Sequence, residues 1–495
     1  MTRIMNQTVA IQSSFTPVTW RKAGLLALIA VVCFHAAYTP ARSGLLAFAI
    51  IGYVICLVQL ARLRTTRQCF YVALTVGFAC DAPQLGFFWP IFGPAAIALW
   101  LVLALWLALF VVLTHLAIVQ WGLKRAAFLV PFLWTGLEYF RSELYHLKFS
   151  WLNVGYAFAE SSLVPWSYLG VFGVGFLTVA FAAGTLVIQS KHFQRPTLLE
   201  LLVIITIIGI LFGLLFPIRS GMRHYVRANL VLAGSQLEFP DSNRIERSLE
   251  KIVSVPEQLR TKWLSQATNV DLVVLPEYTL DGEPTDTLRD WCRTNRKFLI
   301  VGGKQPLGDT NYYNTAFVIS TNGEVVFKQV KSVPIQFFKD GLPAPEQKVW
   351  DSPWGKIGIC ICYDLSYTRV TDELVKQGAQ MLIVPTMDVT DWGQHQHELH
   401  ARIAPVRAAE YGIPIFRVAS SGISQGVNSW GNVNSSASFP GEGETIFFGA
   451  QLTSGQSGSR PLDRWLAPVS VLVTTVFILY LMSGILRNRR AMPKP

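Results

Sequence analysis

The sequence is short of charged residues. Only 15% of its 495 residues are Asp, Glu, Lys or Arg, whereas soluble domains carry about 25%. The deficit is concentrated in residues 20–217 and 465–486, which are almost continuously apolar, while residues 225–452 have the composition of an ordinary soluble domain. These runs exclude a purely soluble protein and predict a membrane protein that carries one soluble domain.

Cysteine is also scarce. The seven cysteines form no CxxC pair, and they show no cysteine–histidine spacing of the kind that binds zinc. The sequence therefore predicts neither a disulfide framework nor a metal site, and we expect no cofactor.

The net charge of +11 is not arranged for nucleic-acid binding. A nucleic-acid interface is expected to show a basic stripe with interleaved aromatic residues, and the sequence has none. The lysines and arginines lie largely at the ends of apolar segments instead. That pattern fixes the orientation of membrane helices, so it predicts topology and not an anionic partner.

Eight apolar stretches approach the length of about 20 residues that a membrane-spanning helix needs. They lie near residues 21–39, 44–61, 68–92, 95–120, 126–142, 163–188, 198–217 and 465–486. Every second loop is basic, beginning with Arg21 and Lys22 and ending with the run Arg487 to Arg490. Because positive residues favour the cytoplasmic side, both ends of the chain are predicted to be cytoplasmic.

These boundaries predict the domain organisation. We expect a membrane domain of about seven helices in residues 1–220, a soluble domain on the outer face in residues 225–452, a C-terminal transmembrane helix in residues 465–486 and a basic cytoplasmic tail in residues 487–495. The soluble domain is long enough to bury its own core.

The soluble domain alternates short β-rich runs with helical stretches, which indicates a layered α/β fold. The predicted strands are residues 229–235, 271–276, 298–302, 314–320, 324–330, 356–362, 380–385 and 413–419. The predicted helices are residues 244–268, 285–296, 369–378 and 395–411.

Three chemically reactive side chains follow apolar, strand-like runs of this domain. Glu277 follows Val-Val-Leu-Pro, Lys331 follows a run that starts at Gly323, and Cys362 ends the run Gly-Ile-Cys-Ile-Cys. Each alone has an ordinary explanation, as a solvated turn carboxylate, an exposed lysine or a core cysteine. Together they supply a base, a cation and a thiol, which acyl transfer through a thioester requires.

Cys360 competes with Cys362 for the role of nucleophile. Side chains two residues apart in a strand share a face, so both thiols are expected to point the same way. Cys362 lies beside the polar pair Tyr363 and Asp364, at the end of the strand, where a side chain is held rigidly at the surface of a sheet. We therefore predict that Cys362 reacts and that Cys360 fills the core.

Joined in this order, the segments LPEYTLDG, GEVVFKQVKSVP and GKIGICICYDLSY resemble the nitrilase superfamily. The resemblance covers most of the soluble domain and implies the αββα sandwich fold of that superfamily, with Glu277, Lys331 and Cys362 as its catalytic triad. Lys328 competes with Lys331. The superfamily lysine typically lies eight positions after the glycine of the preceding turn, and Lys331 has that spacing from Gly323.

The membrane half resembles one branch of this superfamily, the apolipoprotein N-acyltransferase family. Leu133 to Arg141 is similar to its Trp-Thr-x-x-Glu-x-x-Arg segment, and Phe149 to Tyr156 is similar to its Phe-Pro-Trp-x-x-x-Gly-Tyr segment. Gly170 to Val174 resembles the glycine pair that follows. The resemblance therefore covers nearly the whole chain.

This likeness implies that Trp151, Glu138 and Arg141 contact substrate. A tryptophan at the membrane interface and a structural pair three residues apart on a helix would explain the same residues equally well. Both interpretations therefore stay open.

Three segments depart from the family pattern. One of them, the family's Asn-Asp-x-Trp-Phe stretch, reads Met-Asp-Val-Thr-Asp-Trp-Gly here and contains Asp388. The family has Val-Pro-Phe-Gly-Glu after the lysine, and its glutamate is a further active-site carboxylate, whereas this chain continues Val-Pro-Ile-Gln-Phe-Phe-Lys-Asp and offers Asp340. The usual glutamate after Cys-Tyr is Asp364 here. We therefore expect Asp340, Tyr363 and Asp364 beside the site, in the substrate pocket or at the oxyanion, and a pocket that differs from the family norm.

The resemblance implies an enzyme that moves a fatty acyl chain from a membrane phospholipid, through a thioester on Cys362, to the α-amine of the diacylglyceryl-modified N-terminal cysteine of an apolipoprotein. It further implies the bacterial inner membrane, with the soluble domain in the periplasm, and we expect a monomer.

Three alternatives were weighed. A membrane-tethered amidase or nitrilase that uses water as acceptor, and an acyltransferase with another amine acceptor, both stay open. A transporter or scaffold with an inactive soluble domain is disfavoured by the complete set of Glu277, Lys331 and Cys362 and by the lack of an inverted repeat.

Overall fold

A computed structural model describes residues 16–39, 45–161, 164–188, 228–254, 269–441, 443–452 and 457–490. The chain divides into two compact units. We call Met1–Ser220 together with Leu462–Pro495 the membrane unit, and Gly221–Pro461 the sandwich unit.

The described part of the membrane unit is helical. Its helices are α1 (Trp20–Tyr38), α2 (Ala49–Leu60), α3 (Thr66–Gln84), α4 (Phe88–Phe92), α5 (Ala95–Tyr139), α6 (Trp166–Ile188) and a C-terminal helix (Asp463–Arg490). Four described helical segments are long and apolar enough to cross a membrane: Trp20–Tyr38, Ala95–Leu144, Trp166–Ile188 and Asp463–Gly484. A shorter apolar helical segment covers Leu45–Leu60.

Most of the predicted spans correspond to helices, with two adjustments. The spans predicted at 95–120 and 126–142 are the two parts of α5, which separate at Gly122, where the backbone is not helical and φ is +77°. The span predicted at 68–92 is divided between α3 and the short α4, which separate at residues 85–87. Pro83 lies in the last turn of α3 and Pro90 in the first turn of α4. The span predicted at 198–217 lies outside the described residues.

A glycine allows the C-terminal helix to approach α6. Asp463, the first residue of the C-terminal helix, accepts a hydrogen bond at Oδ2 from the backbone N–H of Phe172 at 3.0 Å. Gly170 has φ +64°, and a Cβ atom there would lie 2.2 Å from the same Asp463 oxygen. Only glycine fits this position without strain and overlap.

The sandwich unit contains two six-stranded sheets. The strands are β1 (Leu230–Ser235), β2 (Leu272–Val274), β3 (Phe298–Leu307), β4 (Asn311–Ile319), β5 (Val325–Val330), β6 (Val349–Ser352), β7 (Gly355–Ile359), β8 (Met381–Thr386), β9 (Ile415–Ala419), β10 (Ser424–Val427), β11 (Val433–Ala437) and β12 (Thr445–Ala450). The first sheet has the order β12-β1-β2-β3-β4-β5, and the second has the order β11-β10-β9-β8-β7-β6.

The strands that lead to Glu277 and Cys362, β2 and β7, have parallel neighbours, whereas β5, which leads to Lys331, pairs antiparallel with β4 at the edge of its sheet. In the first sheet β2 pairs in parallel with both β1 and β3, and in the second β8 pairs in parallel with both β7 and β9. Parallel strands need helical crossovers, which cover the faces of the sheet. The helices of this unit are α7 (Ser242–Ser254), α8 (Asp286–Asn295), α9 (Thr368–Lys376), α10 (Gln394–Ala401) and α11 (Ile403–Tyr411).

The main core lies between the two sheets. Apolar side chains from both sheets form one buried cluster that includes Leu232, Val274, Ile300, Ile359, Ile383 and Phe416. A second cluster joins the outer face of the first sheet to α7 and α8, and α9 and α11 pack on the second sheet. The layers are therefore helix, sheet, sheet, helix, which confirms the predicted αββα sandwich.

Candidate active site

Three strand ends bring the predicted catalytic residues together. Glu277 follows the buried strand β2, Lys331 directly follows β5 at the edge of the same sheet, and Cys362 follows β7 of the opposite sheet. All three are almost completely buried, at 2%, 0% and 2% exposure. The sandwich therefore places a carboxylate and an ammonium from one sheet near a thiol from the other.

Lys331 lies between two carboxylates. Its Nζ is 2.8 Å from Glu277 Oε1 and 2.7 Å from Asp340 Oδ2. The structure thus brings Asp340, which the sequence analysis expected beside the site, into direct contact with the lysine. Asp340 is held there by the backbone N–H of Ile335 at 2.7 Å and by the hydroxyl of Tyr278 at 2.8 Å.

Asn314 joins the same cluster, although the sequence analysis did not select it. Its Nδ2 donates to Glu277 Oε1 at 2.6 Å and to Asp340 Oδ1 at 2.9 Å. The backbone N–H of Lys331 donates to the Asn314 carbonyl at 2.8 Å. One amide therefore fixes the separation of the two carboxylates. The signal that could have revealed it was a polar amide in β4 close to the apolar run of residues 316–319.

The side chains of Cys362 and Glu277 both bind the backbone of Met387. Cys362 donates from Sγ to the carbonyl of Met387 at 3.6 Å, and the N–H of Met387 donates to Glu277 Oε2 at 2.8 Å. Cys362 itself has φ +52°, a left-handed conformation that is strained for a residue other than glycine. This turn holds the sulfur beside Met387, whose N–H binds Glu277.

Cys362 is held as a neutral thiol at rest. Burial raises the pKa of Cys362 well above its usual value, and the Glu277 carboxylate raises it further, while Lys331 acts in the opposite direction. A neighbouring lysine alone would favour the thiolate, but here burial and the carboxylate outweigh it. A base must therefore take the proton during the reaction. Burial also raises the pKa of Glu277, which suits a general base.

Lys331 is a permanent cation in this environment. Burial by itself would lower the pKa of Lys331, but Asp340 and Glu277 outweigh it and hold that pKa well above its usual value. Burial would likewise raise the pKa of Asp340, but the ammonium of Lys331 lowers it below its usual value. The site therefore holds a fixed positive charge that can stabilise an oxyanion.

Asp364 stabilises the turn that carries Cys362. Its carboxylate accepts backbone hydrogen bonds from Ser332 at 3.0 Å, Val333 at 2.7 Å and Ile361 at 3.1 Å. Burial raises the pKa of Asp364 to about 6, against the effect of these bonds. Because its oxygens are engaged by the backbone, Asp364 positions the lysine loop against the turn, and Tyr363, whose ring packs edge-on against Tyr367, continues that turn.

The two competing residues lie elsewhere. Cys360 is fully buried, with its N–H bonded to the carbonyl of Ile383 at 3.2 Å. Lys328 extends to the partly exposed Glu283 at 3.1 Å. Neither the sulfur of Cys360 nor the ammonium of Lys328 joins the Glu277 cluster.

A second polar cluster adjoins the thiol. A ring nitrogen of His400, a carboxylate oxygen of Asp388 and the sulfur of Cys362 lie within 4.8 Å of one another. Asp388 is also bonded to the buried guanidinium of Arg417. Cysteine, histidine and aspartate are ligand types for zinc, but Arg417 contacts both Asp388 and His400 and disfavours a cation here. The sequence analysis selected Asp388 as part of an altered pocket segment, but it did not join Asp388 to His400 and Arg417, because these residues are far apart in the chain.

Glu138 and Arg141 line a small cavity of about 50 Å³ in the membrane unit, together with Asp81. Glu138 Oε1 accepts the N–H of Val154 at 2.8 Å, and Arg141 donates to Asn153 Oδ1 at 2.5 Å. Both side chains thus hold the same short loop, while charge is still presented to the cavity.

Trp151 lies just before that loop. It is 6% exposed, and its ring packs against Phe149 at 5.5 Å and Phe87 at 6.2 Å between centroids. The structure therefore places Trp151 in an aromatic cluster within the membrane unit.

Two family models match the chain. The apolipoprotein N-acyltransferase N-terminal domain matches residues 13–184, and the carbon-nitrogen hydrolase model matches residues 248–446. The second match contains Glu277, Lys331 and Cys362.

Similar proteins cover both parts. The chain is 25% identical over 419 residues to an apolipoprotein N-acyltransferase of Shewanella oneidensis, which covers 74% of this chain and 78% of the relative. It is 24% identical over 343 residues to an apolipoprotein N-acyltransferase of Geobacter metallireducens, covering 61% and 64%. A deaminated glutathione amidase of Dictyostelium discoideum is 29% identical over 167 residues, covering 29% of this chain and 57% of the relative. The similarity to N-acyltransferases thus extends over most of the chain, and the similarity to the amidase over less than a third.

Proposed function

The chain belongs to the apolipoprotein N-acyltransferase family, and on that premise we propose that it moves a fatty acyl chain from a membrane phospholipid to the α-amine of a diacylglyceryl-modified apolipoprotein. The observation that carries the proposal is the buried contact of Lys331 with Glu277, at 2.8 Å, close to the thiol of Cys362. The same chain carries helices long and apolar enough to cross a membrane.

The first half-reaction loads the thiol. Glu277 takes the Sγ proton as Cys362 attacks the ester carbonyl of the phospholipid, and a carbon–sulfur bond forms. Lys331 stabilises the oxyanion of the tetrahedral intermediate. The carbon–oxygen bond then breaks, Glu277 returns its proton to the departing oxygen, and a lysophospholipid leaves. The acyl chain remains on Cys362 as a thioester.

The second half-reaction transfers the acyl chain. The neutral amine of the acceptor attacks the thioester carbonyl, a carbon–nitrogen bond forms, and the carbon–sulfur bond breaks. Glu277 accepts a proton from the attacking nitrogen and passes it to the leaving sulfur, so the free thiol of Cys362 is restored. One base and one cation therefore serve both halves.

Both substrates carry acyl chains, which explains why such a site belongs to a membrane protein. Moving an acyl chain from the bilayer into water costs about 0.8 kcal/mol per CH₂, so the reaction is favoured where neither lipid leaves the membrane. We place the enzyme in the bacterial inner membrane as a monomer, with the sandwich unit in the periplasm.

A hydrolase is the second candidate, because the amidase of Dictyostelium discoideum is similar to part of the chain. In that case water replaces the amine in the second half-reaction and releases a free fatty acid. The two functions share the thioester and differ only in the acceptor.

The test uses purified protein with a phospholipid that is labelled in its acyl chain. We expect hydroxylamine-sensitive label on the wild type and none on Cys362→Ala, while Cys360→Ala is labelled normally. Addition of a diacylglyceryl-cysteine lipopeptide should move the label into an amide. Label on Cys362→Ala would refute the assigned nucleophile, and release of free acid without amide would identify a hydrolase.

A further inference from the structure

The residue after Met387 links the nucleophile to a second base. The backbone of Met387 binds both Glu277 and Cys362, and the next residue, Asp388, directs its side chain to His400 with an Oδ1–Nδ1 distance of 2.8 Å. Asp388 and His400 are 0% and 1% exposed. Two consecutive residues just after β8 therefore serve two groups: Met387 binds Glu277, and Asp388 binds His400.

Two side chains contact Nδ1 of the imidazole: Asp388 Oδ1 lies 2.8 Å away, and Arg417 Nη2, which also donates to Asp388 Oδ2, lies 3.0 Å away. When Nδ1–H donates to Asp388, the lone pair lies on Nε2, which is the nitrogen that can accept a proton. The backbone of Asp388 is itself fixed, since its N–H donates to Ser420 Oγ at 3.0 Å and its carbonyl accepts from Ser421 Oγ at 2.5 Å. This pair is built as rigidly as the Glu277 cluster.

The charges around His400 keep it neutral at rest. The titratable groups that face it are Asp388, Arg417, His397 and Cys362. Burial lowers the pKa of His400, Asp388 raises it and Arg417 lowers it further, with a net lowering. A neutral imidazole is able to accept a proton at neutral pH.

Transfer to an acceptor ammonium releases two protons, and Glu277 accepts only one of them. The α-amine of a polypeptide has a pKa of about 7.7–8.0, so most of it is an ammonium at neutral pH. One proton must leave before the nitrogen can attack, and a second leaves as the amide forms. Glu277 passes the second proton to the sulfur, and the first needs another acceptor.

We propose that His400, held by Asp388, removes the first proton from the acceptor ammonium. His400 is then a catalytic residue of the second half-reaction. A nucleophile in position for attack lies about 3–3.5 Å from the thioester carbon, so a ring nitrogen within 4.8 Å of the sulfur is within reach of it. His400 then releases the proton to solvent. The overall change converts ammonium and thioester into amide, free thiol and one released proton.

This inference rests on the proposed function, because it requires an amine as the acceptor. It does not require that the acceptor carries a lipid. The alternative is a purely structural role, in which His400 only packs in the core beside Asp388 and Arg417. A packing defect would slow both half-reactions and would not depend on the protonation of the nucleophile, whereas loss of a base would.

The experiment compares His400→Gln with wild type in two separate steps, using the full-length protein and an acyl-labelled phospholipid. We expect thioester formation to stay near the wild-type rate. Transfer to a diacylglyceryl-cysteine lipopeptide at neutral pH should fall by about 5- to 10-fold, because only about 10–20% of an amine with a pKa of about 7.7–8.0 is neutral at pH 7, so the labelled thioester accumulates. His397→Gln removes another buried imidazole from α10 and should change both steps together.

Two further measurements separate a base from a packing residue. Hydroxylamine is already neutral at neutral pH, so its attack on the thioester should be nearly as fast in His400→Gln as in wild type. Raising the pH above the pKa of the lipopeptide amine should restore transfer by the variant. Failure of either rescue would overturn the proposal.

A second variant, His400→Met, has a similar volume and no base. If both His400 variants fail to form the thioester, the residue is needed for the fold or for the first half-reaction, and the proposal is wrong. If wild type transfers to a simple dipeptide amine but never to the lipopeptide, the lipoprotein acceptor fails while the role of His400 is still tested with the dipeptide.

Discussion

Lys331 and Asp340 form a buried ion pair, with Nζ and Oδ2 2.7 Å apart, and Asp340 reaches this contact from a segment that differs from the family pattern. The pair shows that a carboxylate supplied from a different position can complete the arrangement around the lysine. Glu277 then shares the ammonium with a second acid, so the basicity of Glu277 depends on Asp340.

Substitution of Asp340 by asparagine should weaken the base. Asp340 raises the pKa of Glu277, so its neutralisation lowers that pKa and moves the acid limb of the acylation pH profile to lower pH. We expect about a 10- to 100-fold loss of acylation at neutral pH, since misplaced groups commonly cost up to about 10²-fold. Asp351→Asn, at an exposed position of β6, is the control and should leave the profile in place. An unmoved acid limb in Asp340→Asn would contradict this coupling.

Substitution of Asn314 by alanine should move the same limb in the opposite direction. The hydrogen bond from Asn314 lowers the pKa of Glu277, so its loss raises that pKa and leaves less ionised base at a given pH. A hydrogen bond to a charged group is worth about 1.5–3 kcal/mol, which corresponds to roughly a 10- to 150-fold slower acylation. Opposite shifts in Asn314→Ala and Asp340→Asn are the required result, and the same shift in both would exclude Glu277 as the titrating base.

Substitution of Lys331 and substitution of Lys328 should have different effects on thioester formation. Lys331→Ala removes the oxyanion stabiliser and should reduce thioester formation by about 10²–10³-fold, the usual effect of losing one such group. Lys328→Ala removes an ammonium that binds the partly exposed Glu283 and should leave the rate almost unchanged. Pre-steady-state labelling of Cys362 measures both, and equal losses would show that Lys331 has no special role.

The thiol pKa should respond with opposite signs to its two charged neighbours. Glu277 raises the pKa of Cys362 and Lys331 lowers it, so Glu277→Gln should lower the pH at which Cys362 is alkylated and Lys331→Met should raise it. Mass spectrometry of the Cys362 peptide after alkylation over a pH series gives the midpoints, and the fully buried Cys360 serves as the internal control. Midpoints that move together would show that neither charge governs the thiol.

In the membrane unit, Gly170→Ala should destabilise the protein. The new Cβ would overlap Asp463, and the position has φ +64°, which costs a residue other than glycine about 1–3 kcal/mol. Gly184→Ala, on the same helix with open space around it, is the matched control. Thermal unfolding of the detergent-purified proteins should show a lower midpoint for Gly170→Ala alone, and equal midpoints would show that the helix ends can move apart at little cost.

The sequence predicted the residues that end buried strands, since a reactive side chain after an apolar run marks both the strand and its end. Glu277, Lys331 and Cys362 were selected in this way, but their proximity depends on the order of strands and on the packing of two sheets, and only the family resemblance implied it. Asn314 and His400 were not selected, because their proximity to the site depends on the pairing of strands and on the docking of α10. Single-chain patterns carry no information on either.

The strands β6, β10, β11 and β12 were not predicted. β10 and β11 are short and contain serine, glycine and asparagine, so they lack the apolar character of the inner strands, and their pairing depends on the neighbouring strands. The third predicted span was too long because an apolar run was identified, whereas the helix breaks at residues 85–87 between α3 and α4.

The left-handed backbone of Cys362 has a consequence for how such a site persists. A residue with a side chain costs about 1–3 kcal/mol in that conformation, and glycine would remove the strain together with the sulfur. An inert protein is therefore expected to be more stable than the reactive one. Stability and reactivity therefore oppose each other at this turn.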